Sequence, residues 1–233
     1  MKLCDATRKQ LPGYCASVGL MQGGEMPEGF MGIKFGDRLR QAMDAGTDYV
    51  YFDHSYFKRG WNNGYFRAVR NALHLTHMLD RPDDRMRKFG VEIEPWRKKG
   101  REIVIIPPSE YQVRFHGCDD WLMHMETRLD QVTDRPVICK RGKMNSMREF
   151  CADAWAVVTY SSVAGVEAAL MGIPVFSTEL CPSWPVNAGS IESIDRPEYV
   201  DFREKWAASL AYSSWHAKEI ERIRWHDYNY EAL

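Results

Sequence analysis

The stretch 154-AWAVVTYSSVAGVEAALMGIPVFST-178 decides the fold class, because two apolar segments flank a polar turn and a helical segment. Residues 155–159 are apolar and β-branched without alternation, which is typical of a parallel strand covered on both faces. Ser162 is a candidate N-cap for a helix over residues 163–171, and Gly172 is placed to end that helix. The stretch therefore predicts two strands of an α/β fold with a helix between them.

The same alternation extends over the second half of the chain. Residues 102–106 and 136–139 are predicted strands, and residues 121–132 have the apolar spacing of a helix. Alternating strands and helices predict a parallel doubly wound sheet, in which ligands bind beyond the carboxyl ends of the strands. A last helix is predicted over residues 202–225.

The first half of the chain is predicted to contain strands at residues 14–20 and 49–53, with a helix near residues 35–45. The pattern of residues 66–79 fits either a helix or a strand. Residues 81–100 combine prolines, glycines and charge, which is typical of a connector.

Two α/β domains follow from this arrangement. We expect a compact fold of two Rossmann-like halves with parallel doubly wound sheets, the first over residues 1–100 and the second over residues 101–233. The second half would include the C-terminal helix.

The composition is that of a globular protein, with 45% hydrophobic and 27% charged residues. There is no apolar run of about 18 residues, and residues 1–13 lack the hydrophobic region of a signal peptide. We therefore expect no membrane span and a cytoplasmic location. The six cysteines are scattered without a C-x-x-C pair, so the spacing indicates neither a zinc site nor a disulfide framework.

The pattern SSVAGVEAALMGIPVF at residues 161–176 resembles the donor segment of GT-B-fold glycosyltransferases. It is similar to the capsule, Kdo and sialic-acid transferase types and to short phage-encoded transferases. The resemblance implies that a strand-end hydroxyl pair and a helix start hold the donor phosphate and that a glutamate contacts the ribose or sugar. Carried over to this chain, those roles fall on Ser161, Ser162 and Glu167, beside Tyr160.

Two further strand ends carry polar residues that would meet these hydroxyls at one edge of a parallel sheet. Ser109 follows the strand at residues 102–106, and a run of cations follows the strand at residues 136–139. Hydroxyls and cations suit a departing nucleotide phosphate. Many proteins of the resembled type have a histidine or basic residue and a proline where this chain has KRGK, so which cation contacts phosphate stays open. The candidate cations are Lys140, Arg141 and Lys143, each of which could instead be a solvated loop charge.

The first half would bind the acceptor and supply a base. Asp53 and His54 end a predicted strand before a glycine-containing loop, where a group that removes a proton from an acceptor hydroxyl could lie. Capping or turn formation is the alternative for Asp53. His116 with Asp119 and Asp120 is a second candidate cluster.

The sequence contains no D-x-D triplet and no Walker, dinucleotide-binding or nucleophile-elbow glycine motif. We therefore expect a metal-independent enzyme with no cofactor, whose nucleotide-sugar is a co-substrate.

Charge is unevenly distributed, although the formal net charge is only −1. Residues 58–101 contain 12 Lys and Arg against 5 Asp and Glu, together with several aromatic residues. Cations and rings are what a polyanion-binding surface needs, although a solvated charged surface is the alternative. The candidate acceptor-binding residues are Arg97, Lys98, Lys99 and Arg101.

The sequence thus predicts a glycosyltransferase that moves a sugar from a nucleotide-sugar to an acceptor hydroxyl. Duplex DNA with a hydroxymethylated base, as in phage DNA modification, is the favoured acceptor, and a surface or lipid-linked glycan is the alternative. The TYSS segment also resembles that of CDP-glycerol-type phosphoglycerol transferases. A non-catalytic nucleotide- or glycan-binding module is the remaining alternative. The oligomeric state is left open.

Overall fold

The computed structural model describes residues 28–33, 36–59, 64–140 and 146–220. Packing divides the chain into two units. The first unit takes in the described residues of Met1–Leu75 and Leu210–Leu233, and the second unit is Thr76–Ser209. This division lies elsewhere than the predicted boundary at residue 100. The predicted strand at residues 14–20 falls outside the described residues.

The first unit contains a mixed sheet in the order β1-β2-β3-β8. Strand β2 pairs with β1 in parallel and with β3 antiparallel, and β3 pairs antiparallel with β8. The strand predicted at residues 49–53 and the helix predicted near residues 35–45 are confirmed, and residues 66–79 begin with a strand. The elements are β1 Glu28–Met31, α1 Asp37–Asp44, β2 Tyr49–His54, β3 Tyr65–Arg70, β8 Ser214–His216 and α8 Ala217–Ile220.

The second unit contains a parallel sheet in the order β5-β4-β6-β7. The elements are α2 Asp84–Phe89, β4 Glu102–Ile106, α3 Glu110–His116, α4 Trp121–Val132, β5 Val137–Cys139, α5 Met147–Phe150, β6 Ala154–Thr159, α6 Ala164–Leu170 and β7 Val175–Ser177. Two 3-10 helices, Trp184–Val186 and Ile191–Ser193, follow β7. The predicted order of strands and helices is confirmed here, and with it the α/β fold class.

The apolar run that predicted β4 is buried on both faces of the sheet. Ile103, Val104 and Ile105 have no exposed surface, and Leu129 of α4 packs into the same core cluster. Burying a side chain of this size stabilises the fold by about 1.5–3 kcal/mol. Because β4 lies between β5 and β6, this run is the centre of the second unit.

The predicted helix stop at Gly172 is confirmed. Gly172 has a φ of 72°, and the N–H of Ile173 donates to the carbonyl of Ala168, which closes the end of α6. A left-handed residue favours glycine because it has no Cβ. The chain can then turn back into β7.

The segment predicted as a connector, residues 81–100, is instead packed within the second unit. The N–H groups of Glu94 and Arg97 donate to the carbonyls of Leu170 and Gly172. The Arg203 guanidinium lies 3.8 Å from the Trp96 ring centroid and donates to the carbonyl of Glu94. The prolines and glycines of this segment therefore belong to a backbone that packs closely against the end of α6 and do not form a free linker.

The C-terminal helix predicted over residues 202–225 is interrupted. Helix α7 covers Arg203–Tyr212, and β8 follows at Ser214–His216, while residues after 220 lie outside the described part. Residue Tyr65 of β3 pairs with His216. Strand pairing overrides the helical pattern because local propensity is weak compared with tertiary contacts. Among the described helices, none is long and apolar enough to cross a membrane.

Candidate functional site

The connections of the parallel sheet change direction at β4. The chain passes from β4 to β5 on one side and then returns to β6 on the other side. The carboxyl ends of β4, β5 and β6 therefore lie at one edge of the sheet, which we call the carboxyl edge. The parallel pairing on which the predicted convergence of three polar strand ends depends is thus confirmed. Open α/β sheets bind ligands at such a switch point.

A hydrogen-bonded bridge joins the ends of β4 and β6. Ser109 caps α3 by accepting from the N–H of Gln112, whose own side chain accepts from the N–H of Ser109. The Gln112 amide also donates to the Ser161 hydroxyl over 2.8 Å. Ser161 is only 2% exposed, so it acts within this bridge.

Tyr160 lies between two rings at the carboxyl edge. Its ring meets those of His116 and Trp121 edge-on, with centroid distances of 5.4 and 5.8 Å. Its backbone carbonyl accepts from the Thr178 hydroxyl, which links β6 to the loop after β7. Burial raises the pKa of Tyr160, so its hydroxyl stays protonated and can donate.

Ser162 and Glu167 lie at the start of α6. The N-cap of α6 is Val163 and not the predicted Ser162, which lies one residue earlier and whose hydroxyl accepts from the N–H of Ala164 over 3.2 Å. Glu167 is half-buried in the first turn of α6. Ser162 thus precedes α6 and Glu167 lies within its first turn, and their roles in donor binding stay predictions.

Lys140 extends β5 at the carboxyl edge. Its N–H donates to the Ile105 carbonyl over 2.8 Å, and its side chain is half-buried. Arg141 and Lys143 lie outside the described residues. Lys140 is therefore the predicted cation whose place at this edge is described.

The predicted acceptor-binding cations belong to the second unit and lie at the opposite, amino edge of the sheet. Arg97 donates to the carbonyl of Cys151 over 2.6 Å, and Arg101 pairs with Asp153, just before β6 begins. The Lys98 ammonium lies 5.6 Å from the Tyr199 ring centroid. Lys99 is exposed. Arg97 and Arg101 are thus engaged by polar groups of the protein, and Lys98 contacts an aromatic ring.

Asp53 and His54 end β2 within a polar cluster of the first unit. The Asp53 carboxylate accepts from Arg67 over 3.0 Å, from the Tyr51 hydroxyl over 2.8 Å and from the N–H of His54 over 2.7 Å. Arg67 is 4% exposed and also donates to the carbonyls of His54 and Leu73. The cluster holds a buried guanidinium with its counter-ion.

The same contacts set the protonation states of the pair. Burial alone would raise the pKa of Asp53, but Arg67 and the hydrogen bonds lower the pKa below its ordinary value. Burial lowers the pKa of His54, and the positive charges of Arg59 and Arg67 lower it further. The negative charge of Asp53 acts in the opposite direction and raises this pKa. At neutral pH, Asp53 is therefore ionised and His54 is neutral.

Within the described residues, no group of three or more His, Cys, Asp or Glu side chains is arranged to hold a metal ion. The His116 ring packs against Phe115 and Tyr160. The role of His116, Asp119 and Asp120 as a second candidate for the base stays a prediction.

Comparisons with known proteins bear on the fold. No family model matches the chain, and no curated protein matches it. Among solved structures, the chain is similar to Thermosulfurimonas dismutans KpsC, beta Kdo 2,4 transferase, at a TM-score of 0.51 and 13% identity. The match covers 89% of this chain and 88% of the other. The fold is glycosyltransferase-like. At this identity the likeness concerns the fold alone.

Sequence reasoning missed Gln112 and a cleft beside α4. Ser109-x-x-Gln112 is a capping-box pattern that could have been identified from the sequence, although its further bond to Ser161 could not. The cleft lies between α4 and the two 3-10 helices and has a volume of about 700 Å³. Residues 179–201 have no periodic pattern, so no sequence signal marked it.

Proposed function

We propose that the chain is a glycosyltransferase that moves a sugar from a nucleotide-sugar donor to an acceptor hydroxyl. The observation that carries this proposal is the polar switch point of the second unit. Ser109 and Ser161 follow the neighbouring strands β4 and β6 there and are joined through Gln112. A parallel sheet of a glycosyltransferase-like fold with hydroxyls at this position suits a nucleotide phosphate.

The proposed reaction forms one bond and breaks one. The acceptor oxygen attacks the anomeric carbon, while the bond from that carbon to the donor phosphate oxygen breaks and its electron pair stays on the phosphate. Lys140 and the hydroxyls of Ser109, Tyr160 and Ser162 would stabilise the departing phosphate through charge-assisted hydrogen bonds. Glu167 would accept from donor hydroxyls. No metal is required, because cationic and hydroxyl groups supply the stabilisation.

The acceptor proton would pass to the Asp53–His54 pair. A general base works best when its pKa lies near the working pH. Asp53 has a lowered pKa and already neutralises Arg67, whereas His54 is neutral at pH 7 and can take a proton. We assign the proton to His54 and a positioning role to Asp53, which holds the backbone N–H of His54.

Substitution of each residue separates these roles. His54→Gln should lower kcat by about 100-fold without weakening donor binding, since proton removal occurs only in the transition state. Asp53→Asn should lower both stability and kcat, because it leaves Arg67 without a counter-ion. A folded His54→Gln enzyme with an unchanged kcat would return the role to Asp53 or move it to His116.

A glycan acceptor fits this proposal better than hydroxymethylated phage DNA. Arg97 and Arg101 are already bonded to protein carbonyl and carboxylate groups at the amino edge. If DNA nevertheless binds residues 97–101, retardation in a gel should fall steeply with salt because counterions are released. Serine substitution of Arg97, Lys98, Lys99 and Arg101 would flatten that slope. We expect no retardation at low salt, and a steep slope lost in this variant would contradict that expectation and return DNA as a candidate acceptor.

A thermal-shift screen against UDP, CMP, CDP and GDP, with and without EDTA, tests the donor class. Binding to the native state raises the melting temperature, so we expect one nucleotide to stabilise the protein with or without chelator. Mass analysis of products from the corresponding nucleotide-sugar then separates alternatives: added sugar supports the proposal. Added phosphoglycerol from CDP-glycerol, or stabilisation without turnover, would replace it with a phosphoglycerol transferase or a binding module. Activity lost in EDTA and restored by Mn²⁺ would contradict metal independence.

A further inference from the structure

The cleft beside α4 has an apolar floor and lies entirely within the second unit. Val158, Phe176 and Ile191 belong to the core cluster and also line the cleft. Its volume of about 700 Å³ is in the range of small-molecule sites. The cleft shares no side chain with the donor residues assigned above.

Two tryptophans, Trp121 and Trp184, line this cleft. Trp121 begins α4 and packs edge-on against Tyr160, which fixes its ring. Trp184 begins the first 3-10 helix and is 42% exposed. Within the described part of the chain, neither indole N–H has a hydrogen-bond acceptor. Each can therefore donate to a ligand while its ring contacts apolar atoms.

Of the three charged side chains that line the cleft, two form an ion pair with each other and one carboxylate has no cation beside it in the lining. Arg128 and Glu192 pair with each other and so balance. Glu198 also lines the cleft, and its carboxylate has no bond to the other described residues, although its N–H donates to the Ala188 carbonyl. The lining thus carries one excess negative charge, which favours hydroxyl donors and disfavours anions.

The wall between the tryptophans and Glu198 is held in place. The Asn187 side chain accepts from the N–H of Ser177 and donates to the carbonyl of Gly189, so both of its ends are used internally. This ties the loop that carries Trp184 to β7. A preorganised wall lowers the entropic cost of binding.

We propose that this cleft binds an uncharged sugar ring. A hexopyranose presents C–H groups on its faces, which suit indole rings and the apolar floor, and hydroxyls at its rim. The hydroxyls can accept from the indole N–H groups and donate to Glu198. A phosphate or an acidic sugar would place a second negative charge beside Glu198. The ring could belong to a free glycan or to the sugar of a nucleotide donor, and only the latter source depends on the proposed function.

Saturation-transfer NMR with glucose, galactose, N-acetylglucosamine, glucuronate and UDP-glucose tests this proposal. We expect transfer to the ring protons of at least one neutral sugar and little transfer to glucuronate. Trp184→Ala should weaken neutral-sugar binding at least tenfold. Glu198→Gln, which keeps the side-chain volume, should weaken it about fivefold and reduce the discrimination against glucuronate, as loss of one charged acceptor predicts. Met123→Ala is the matched control, because Met123 is 57% exposed on α4 outside the cleft lining, and should change nothing.

The outcomes decide the proposal and the source of the sugar. Competition between the neutral sugar and UDP-glucose, but not UDP, assigns the ring to the donor, and independent binding assigns it to a free glycan. Absence of transfer to all three neutral sugars overturns the proposal, as does equal binding by the wild type and both cleft variants. Stronger binding of glucuronate than of neutral sugars also overturns it. Nucleotide binding is measured separately, so failure here leaves the donor proposal standing.

Discussion

The two sheets of this protein are stabilised in different ways. The parallel sheet of the second unit is an apolar layer in which Ile103, Val104 and Ile105 have no exposed surface. The mixed sheet of the first unit contains a buried arginine, Arg67, opposite Asp53 in the antiparallel pair of β2 and β3. An apolar sheet tolerates polar residues only where its strands end, whereas the mixed sheet pairs Asp53 near the end of β2 with Arg67 in the interior of β3.

Because of this difference, a polar side chain at a strand end has a different meaning in each unit. In the second unit, hydroxyls and Lys140 lie beyond the strands, at the edge where parallel sheets bind ligands. In the first unit, the network of Tyr51, Asp53 and Arg67 also has a structural role, because a buried guanidinium requires a partner. Position at a strand end is therefore stronger evidence for binding in the second unit than in the first.

The largest expected effect is removal of the buried charge in the first unit. Arg67→Met should lower the free energy of unfolding by about 3–5 kcal/mol, since it leaves Asp53 without its cation. Arg101→Met is the matched control in the second unit. The Arg101 side chain is 81% exposed, so its pair with Asp153 is solvated and its removal should lower the free energy of unfolding far less than removal of Arg67. Urea unfolding measures both, and similar losses would contradict the proposed difference between the sheets.

A smaller effect is expected from the close backbone approach in the second unit. Gly172→Ala should cost about 2–4 kcal/mol, because a Cβ in the left-handed conformation is strained and would overlap the Pro95 carbonyl oxygen. Gly117→Ala separates the backbone strain from the overlap with a neighbouring atom. Gly117 has a φ of 62° but no atom near its Cβ position, so this variant should lose only about 1–2 kcal/mol. Equal losses in urea unfolding would mean that residues 92–97 do not constrain the end of α6.

The smallest effect is the pH dependence of the first unit. The pKa values of Asp53 and His54 are lowered in the folded protein, so as pH falls the unfolded chain takes up protons at a higher pH than the folded protein does. Proton uptake therefore favours the unfolded chain. Stability should therefore decrease below about pH 6.5 through His54 and decrease further below about pH 4 through Asp53. Urea unfolding between about pH 7.5 and pH 5 should show a shallower loss for His54→Gln than for the wild type. The exposed His124→Gln is the control, and a change of the same size there would remove the assignment to His54.

Much of the second unit could be predicted from sequence, because parallel strands are continuous apolar runs and the helices between them have clear ends. The strand at residues 102–106 and the helix stop at Gly172 depend on local patterns alone. The antiparallel pairing of Tyr65–Arg70 could not be predicted, since Arg67 in its middle has no place in an apolar pattern. The strand Ser214–His216 exists through its pairing with β3, a long-range contact that a helical pattern hides.

In the candidate site, too, some features could be predicted from the sequence and others could not. Ser109, Lys140 and Ser161 were predicted to meet because each follows a strand, and parallel topology alone is enough to place them at one edge. The bridge through Gln112 requires side-chain geometry, which no sequence pattern specifies. The cleft tryptophan Trp184 lies in a 3-10 segment whose sequence has no periodicity, so its position became evident only in the fold.

Calorimetric titration of the nucleotide identified by thermal shift tests the central claim, that the carboxyl edge of the second unit binds the donor, most directly. Ser161→Ala combined with Ser162→Ala should weaken affinity by about 1–3 kcal/mol, or roughly 5- to 150-fold, through lost hydrogen bonds to phosphate and a loosened Gln112 bridge. Thr133→Val is the control, since it removes a hydroxyl bonded to Asp195 at the amino edge of the same sheet, and its affinity should equal that of the wild type. Unchanged affinity in a folded double variant, or an equal loss in Thr133→Val, would contradict the claim.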